Sequence, residues 1–386
     1  MEIEPFAISI PDDVLADLRA RIARTRWPDE VVSIGWDQGT PLPYLRSLLD
    51  EWAEGFDWRA REAALNRLPH FRAELGGLRI HFVHVRAAAE RAIPIVLTHG
   101  WPSTFLELLP LVPLLTDPAG HDIDGPAFDV VIPSLPGYGF SERPSRAGMT
   151  TRAIAPLWDE LMRSLGYSRY AAGGTDFGAG VATFMALDRP EPLVGLHLTF
   201  LEESPYLGPG STPLTGAERA YAEAAEAWMD TEYAYAELQG TKPQTAGYGL
   251  NDSPAGLAAW VVEKWRSWGD TGGDPDARFG RDILLSTLTI FWATQTIASS
   301  MRLYWEKRRA GPAFGPRDYV TVPTGFAVFA NEFVSEGRPV RDWAERMYAI
   351  RRWTEMPRGG HFPALEEPEL LARDIAAFFG VRGRAS

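Results

Sequence analysis

The sequence predicts an α/β fold, with a mostly parallel sheet flanked by helices. Three observations predict it. Short continuous apolar runs, such as Ile93-Pro94-Ile95-Val96-Leu97 and Phe128-Asp129-Val130-Val131-Ile132, suit strands buried on both faces. Helical patterns fall between these runs, so strand and helix alternate along the chain. After Phe200 the strand signal stops for about a hundred residues of helical pattern and then resumes, the layout of a core that carries a helical lid.

The elements follow in order. Residues 1–75 read as a helical meander. Pro11-Asp12-Asp13 starts a helix with Val14, Leu15, Leu18 and Ile22 on one face, and Arg26-Trp27-Pro28-Asp29 ends it. Two more helices fit Pro43 to Trp52 and Trp58 to Leu65. Trp27, Trp36, Trp52, Phe56 and Trp58 are too many large aromatics for a free surface, so this segment is expected to pack on the core and lid. Residues 76–201 form the first part of the core. Its strands are Leu78–Val85, which alternates in polarity, the two runs above, Tyr170–Gly174 and Leu193–Phe200. Its helices are Phe105–Leu115, Ala153–Leu165 and Ala179–Leu187. The lid, residues 202–305, holds helical patterns over Ala217–Leu238, Pro254–Trp268 and Arg281–Lys307. Residues 306–386 return to the core with strands at Gly325–Ala330 and Tyr348–Thr354 and a helix at Pro368–Phe379.

Composition narrows the function. Fourteen Trp, nineteen Phe and twelve Tyr in 386 residues supply a core that needs no staples. The absence of Cys excludes disulfides, thiolate metal sites, iron–sulfur clusters and a thiol nucleophile. A net charge of −13 disfavours nucleic acid and anionic membrane surfaces as partners. No apolar run is long enough to span a bilayer, and MEIEPFAISIPDD has no signal-peptide pattern, so a cytoplasmic protein without a membrane partner is expected. A homodimer is left open.

Three loops carry chemistry. Gly174-Thr175-Asp176-Phe177-Gly178, between a buried strand and a helix, has the small-x-nucleophile-x-small spacing of a nucleophile elbow. Its nucleophile position holds a carboxylate, which can displace at an sp³ carbon and form an alkyl ester. Taken alone, Asp176 fits a helix N-cap as well. His99-Gly100-Trp101-Pro102 follows a strand directly and either is a plain turn or aims a backbone N–H at the elbow; Trp101 and Phe177 would then supply two oxyanion donors. Gly359-Gly360-His361-Phe362-Pro363 offers a general base on a Gly-rich loop, in chain order after the nucleophile. The acid that orients this base should lie between them, and Glu332 is the first candidate, with Glu336 and Asp342 as competitors. His81, His84 and His197 read as structural strand residues, and His70 and His121 as loop residues without a partner motif.

HGWP, the stretch Pro133-Ser134-Leu135-Pro136-Gly137-Tyr138-Gly139-Phe140-Ser141, GTDFG and GGHFPALEEP together resemble the epoxide hydrolases of α/β-hydrolase fold, most nearly the microsomal-type branch. PFAISIPDDVLADLRARIARTRWPD, WDQG, FDWR and LNRLPHF resemble that branch's N-terminal segment, and QGTKP with LNDSPAGLAAWVVEKW its lid, so the likeness covers almost the entire chain. The resemblance implies an elbow Asp that opens an oxirane and two lid tyrosines that polarise its oxygen. By position these are Tyr304 and Tyr235, with Tyr233 and Tyr248 as rivals for the second place. It implies an Asp176, Glu332, His361 set, a small hydrophobic epoxide and water as reactants, a vicinal diol as product, and no cofactor or metal. Relatives usually carry Trp where this chain has Phe177, and Phe-Pro-x-Glu where it has Phe329-Ala330-Asn331-Glu332. The aromatic lid residues Tyr221, Trp228, Tyr233, Tyr235, Trp260 and Trp265 suggest a bulky or aryl substrate. A dehalogenase of the same fold and a non-catalytic hydrophobic-ligand binder are the alternatives; an esterase is disfavoured because the elbow has no Ser or Cys.

Overall fold

A computed structural model describes residues 2–332 and 338–380. Its strands are β1 (Ile3–Phe6), β2 (His70–Leu75), β3 (Leu78–Val85), β4 (Ile93–Thr98), β5 (Phe128–Pro133), β6 (Tyr170–Gly174), β7 (Leu193–Leu198), β8 (Val320–Val328) and β9 (Tyr348–Glu355). They form one sheet in the order β1-β2-β3-β5-β4-β6-β7-β8-β9. The pairs from β1 to β5 are antiparallel, and every pair from β5 to β9 is parallel. The sheet is thus mostly parallel, as the buried apolar runs require. The register aligns the carboxyl ends of the parallel strands: Thr98 lies opposite Gly174, Gly174 opposite Leu198, and Leu198 opposite Phe326. Loops leaving this edge therefore converge, which is where open α/β sheets place their ligands.

The N-terminal segment holds α1 (Asp12–Ala23), α2 (Leu42–Asp50) and α3 (Trp58–Leu65). Buried Leu15, Leu18 and Ile22 give α1 its inner face. The segment is more than a helical meander, because β1 and β2 extend the sheet at its antiparallel edge. β1 is only four residues long and does not alternate, so its signal lies in the pairing; β2 does alternate, with Phe71, Ala73 and Leu75 against His70, Arg72 and Glu74, a strand signal that the helical reading of this segment passed over. His70 consequently sits in β2 and not in a loop, and its Nδ1 lies 2.9 Å from His81 Nε2 across the strand pair. Burial pushes both imidazoles below their ordinary value, so the pair is a neutral hydrogen bond inside the core.

The core helices α4 (Leu111–Thr116), α5 (Thr151–Ser164) and α6 (Phe177–Asp188) follow β4, β5 and β6. The expected helix Phe105–Leu115 divides into a 3₁₀ turn over Phe105–Leu108 and α4, with Pro110 at the α4 N-cap. Between β7 and β8 stands a helical insertion: α7 (Gly216–Glu232), α8 (Ala234–Thr241), α9 (Pro243–Asp252), α10 (Pro254–Trp268), α11 (Pro275–Phe279), α12 (Arg281–Thr294) and α13 (Ile297–Ala310). Two long helices expected here are broken. Ala217–Leu238 ends at Tyr233 and restarts as α8, and Arg281–Lys307 bends by 88° where Gln295 takes the left-handed conformation, φ 54°. Apolar periodicity continues across both breaks, which is why the sequence reads through them. The chain closes with α14 (Arg341–Glu345), α15 (Pro363–Glu366) and α16 (Pro368–Gly380). Among the described residues no single helix is long and apolar enough to cross a membrane.

The aromatic N-terminal segment packs on both the sheet and the insertion, as its composition requires. Glu62 accepts from the Ile10 amide at 2.7 Å and from Trp58 Nε1 at 3.1 Å, which ties α3 to the chain leaving β1. Trp52, buried after α2, donates its indole N–H to Thr289 Oγ1 of α12 at 2.8 Å. Replacing Trp52 with Ala is expected to destabilise the protein by about 3–5 kcal/mol, the usual range for removing a buried large aromatic. Denaturant unfolding checks this, and a loss under about 1 kcal/mol would show that the segment is not anchored there.

Candidate active site

Asp176 stands at the turn between β6 and α6 with φ 48° and ψ −131°, a conformation that L-residues avoid. The turn is possible only because its neighbours lack side chains. A Cβ on Gly178 would lie 2.0 Å from the Thr98 carbonyl oxygen, and one on Gly100 would lie 2.2 Å from Asp176 Cβ and Oδ1. The two loops are therefore pressed backbone to backbone. That closeness lets the Trp101 N–H donate to Asp176 Oδ1 at 2.8 Å. Phe177 is the first residue of α6, and its amide belongs to the unsatisfied N–H groups of that helix end. The Asp176 side chain makes no N-cap hydrogen bond to α6, so the N-cap alternative does not describe it.

His361 follows β9 and is 1% exposed. Its Nδ1 lies 2.8 Å from Glu332 Oε1, and its Nε2 lies 3.6 Å from Asp176 Oδ2, too far for a hydrogen bond. Burial alone would lower this imidazole, but the Glu332 and Asp176 carboxylates override it and push it up to about 10. The loop that carries the ring is held through its main chain as well. The His361 amide donates to the Trp268 carbonyl at 3.0 Å, and the Gly360 and Phe362 amides on either side donate to Glu366 at 2.9 and 2.8 Å. Sequence reasoning passed over Glu366, although a carboxylate closely following a Gly-rich loop was the available signal. Of the competing acids, Asp342 lies exposed on α14 and Glu336 lies outside the described residues.

The two expected tyrosines come from separate helices of the insertion. Tyr304 of α13 packs edge-on against Phe177, with ring centroids 4.7 Å apart, and Tyr235 of α8 stacks on Trp101 at 5.4 Å. They thus lie over the two residues whose amides flank Asp176. Burial holds both phenols well above their ordinary value, so both are neutral donors. Tyr233 also lines the cavity, whereas Tyr248 is 70% exposed.

These groups share a cavity of about 220 Å³. Asp176, Glu332, Tyr235 and Tyr304 line it, with Phe200, Leu201, Tyr221, Trp228, Met229 and Val328 as apolar wall. The other two lid aromatics do not reach it: Trp265 stacks on Phe362 at 4.8 Å, and Trp260 donates to Gln239 at 3.1 Å. The wall also contains charge that no motif signalled. Lys307 pairs with Glu202 on the loop after β7, and burial with nearby carboxylates pushes Glu202 up while Lys307 opposes them. Among the described residues no group of three or more His, Asp or Glu side chains is placed to hold a metal ion.

A mostly parallel sheet that offers, from its carboxyl edge and in chain order, an elbow carboxylate, an acid and a histidine is the arrangement of the α/β-hydrolases. Residues 95–374 match the model of the alpha/beta hydrolase family, and residues 3–108 match the model described as epoxide hydrolase N terminus. The chain belongs to the epoxide hydrolases of this fold. It is 43% identical to a Stigmatella aurantiaca protein provisionally named an epoxide hydrolase, over 98% of this chain and 84% of that one. It is 36% identical to epoxide hydrolase 1 of Sus scrofa, over 98% and 89%. The crystal structure of juvenile hormone epoxide hydrolase from Bombyx mori superposes with a TM-score of 0.84 at 30% identity, over 99% of this chain and 94% of that one.

The His361 charge has a consequence for pH. Its folded value lies above its unfolded one, so the stabilisation it contributes is complete below pH 6.5 and is lost as pH rises through about 10. Because Asp176 is one cause of the rise, Asp176→Asn is expected to lower the His361 value. Titration of the imidazole by NMR reads this directly, and an unmoved midpoint would disprove the coupling.

Proposed function

We propose that the chain hydrolyses an epoxide to a vicinal diol through an alkyl ester on Asp176. The observation that carries this reading is the unequal treatment of the two Asp176 oxygens in a residue that lines the cavity: Oδ1 is bound by the Trp101 amide, while Oδ2 lies on the His361 side, 3.6 Å from Nε2. Oδ2 attacks an oxirane carbon and the carbon–oxygen bond breaks. Tyr235 or Tyr304 donates a proton to the departing alkoxide, which a neutral phenol can do without first being charged. The ester that results has Oδ1 as its carbonyl oxygen, already beside the Trp101 amide that would stabilise an oxyanion.

Alkylation also discharges Asp176. That removes one of the influences holding the proton on His361, so the imidazole can surrender it, restoring the phenol, and then act as base. Water loses a proton to His361 and attacks the ester carbonyl carbon. The charge that develops on Oδ1 is met by the Trp101 and Phe177 amides, and Glu332 stabilises the imidazolium. Collapse releases the diol and returns Asp176 as carboxylate. The helical insertion is read as a lid that contributes the tyrosines and the apolar wall, which favours a small hydrophobic epoxide as substrate.

Single turnover in ¹⁸O-water tests the ester. Label is expected in the Asp176 carboxylate; label in the diol alone would overturn it. Tyr304→Phe and Tyr235→Phe are each expected to slow ester formation, together by about a hundredfold or more, in stopped-flow measurements of the first step. Unchanged rates in the double variant would remove the tyrosines from the mechanism.

A further inference from the structure

The Glu202–Lys307 pair is out of place in an apolar pocket. Two carboxylates, Glu202 and Glu203, meet one ammonium there: Lys307 Nζ bonds the Glu202 carboxylate and, at 2.8 Å, the Glu202 carbonyl oxygen, with Glu203 Oε1 4.0 Å away. The Glu202 and Glu203 side chains are 9% and 6% exposed. The Lys307 side chain is 35% exposed, so the cost falls on the carboxylates: at their depth a charge is costly, and a well-packed apolar group would serve a wall for hydrocarbon at least as well.

The cluster is built next to the nucleophile. A Cβ on Gly180, one helical turn after Asp176, would lie 3.0 Å from Glu202 Cγ and 3.3 Å from Glu203 Oε1, so the glycine makes room for both acids. Lys307 lies one turn beyond Tyr304 on α13. Among the described residues, the second Glu202 carboxylate oxygen takes no hydrogen bond. The Thr199 hydroxyl, on the same loop and in the same cavity wall, is buried without a hydrogen-bond partner among the described residues. A purely hydrocarbon substrate would cover these groups and leave them unpaired, and a site of that kind rejects ligands that lack the complementary group.

We infer that the Glu202–Lys307 wall selects epoxides that also carry a hydroxyl group, held by the free Glu202 oxygen while the oxirane lies at Asp176. The inference rests on the epoxide reading and narrows the substrate class from hydrophobic epoxides to hydroxylated ones. A hydroxyl suits the wall because it can donate to the carboxylate and accept from Thr199 in the same pose.

The test uses terminal epoxides of matched chain length that end in methyl, hydroxyl or methyl ether, over several lengths. At pH 9, above the value of about 8 to which its surroundings push Glu202, the wild-type kcat/KM at the best length for the hydroxyl compound is expected to exceed the methyl compound by about tenfold or more, with no gain for the ether, which cannot donate to an ionised carboxylate. The charge-balanced double variant Glu202→Leu with Lys307→Leu is expected to bring that ratio to about one. Equal wild-type values for hydroxyl and methyl at every length would overturn the inference, whether or not the double variant folds. So would a ratio that the folded double variant keeps. Dissociation constants of the three corresponding diols give the same ranking without turnover. A protein that opened none of the epoxides would therefore refute the epoxide reading, while the diols would still judge the wall.

Discussion

The structure turns on one buried carboxylate in a conformation that its backbone resists. Asp176 sits at positive φ on a turn so tight that glycines must flank it, and it faces the Trp101 amide on one side and the His361 ring on the other. Strain of this kind persists only where the surroundings over-determine it. Here they do: the strand register brings β4 beside β6, the glycines remove the side chains between them, and the amide binds the carboxylate. The same closeness orients the two oxygens differently, which is what an ester mechanism needs.

The remaining groups are arranged around that charge. Five neighbouring parallel strands, β4, β6, β7, β8 and β9, lead from their carboxyl ends to Trp101, Asp176, Glu202, Glu332 and His361. The Glu332 and Asp176 carboxylates raise the proton affinity of this buried histidine against the effect of burial, and Glu366 fixes the loop that carries it by accepting from the amides on both sides. The insertion closes the far side with two phenols and an apolar wall. Its placement depends on the N-terminal segment, whose Trp52 reaches α12 and whose strands extend the sheet.

Much of this was legible. The parallel strands were readable because burial on both faces leaves continuous apolar runs, and Tyr170–Gly174, Trp58–Leu65 and Pro254–Trp268 coincide with the expected elements. GTDFG, HGWP and GGHFP were readable because tight turns demand small residues at fixed offsets. Less legible were β1, a four-residue strand whose stability comes from pairing, and the breaks at Tyr233 and Gln295, where apolar periodicity runs on although the backbone turns; β2 carried an alternation of Phe71, Ala73 and Leu75 that the helical reading passed over.

The amino-acid sequence by itself determined the chemistry that was available: a carboxylate and not a thiol at the elbow, a histidine after it, and aromatic mass enough for a closed pocket. Only the tertiary structure decided which of several equivalent residues met. Glu332 rather than Asp342 reaches His361, Tyr235 rather than Tyr248 covers Trp101, and Lys307 finds Glu202 across 105 residues of chain. The physical reason is that local spacing fixes turns and helix faces. Contact between distant side chains depends on register and crossing geometry, which no short stretch of sequence encodes.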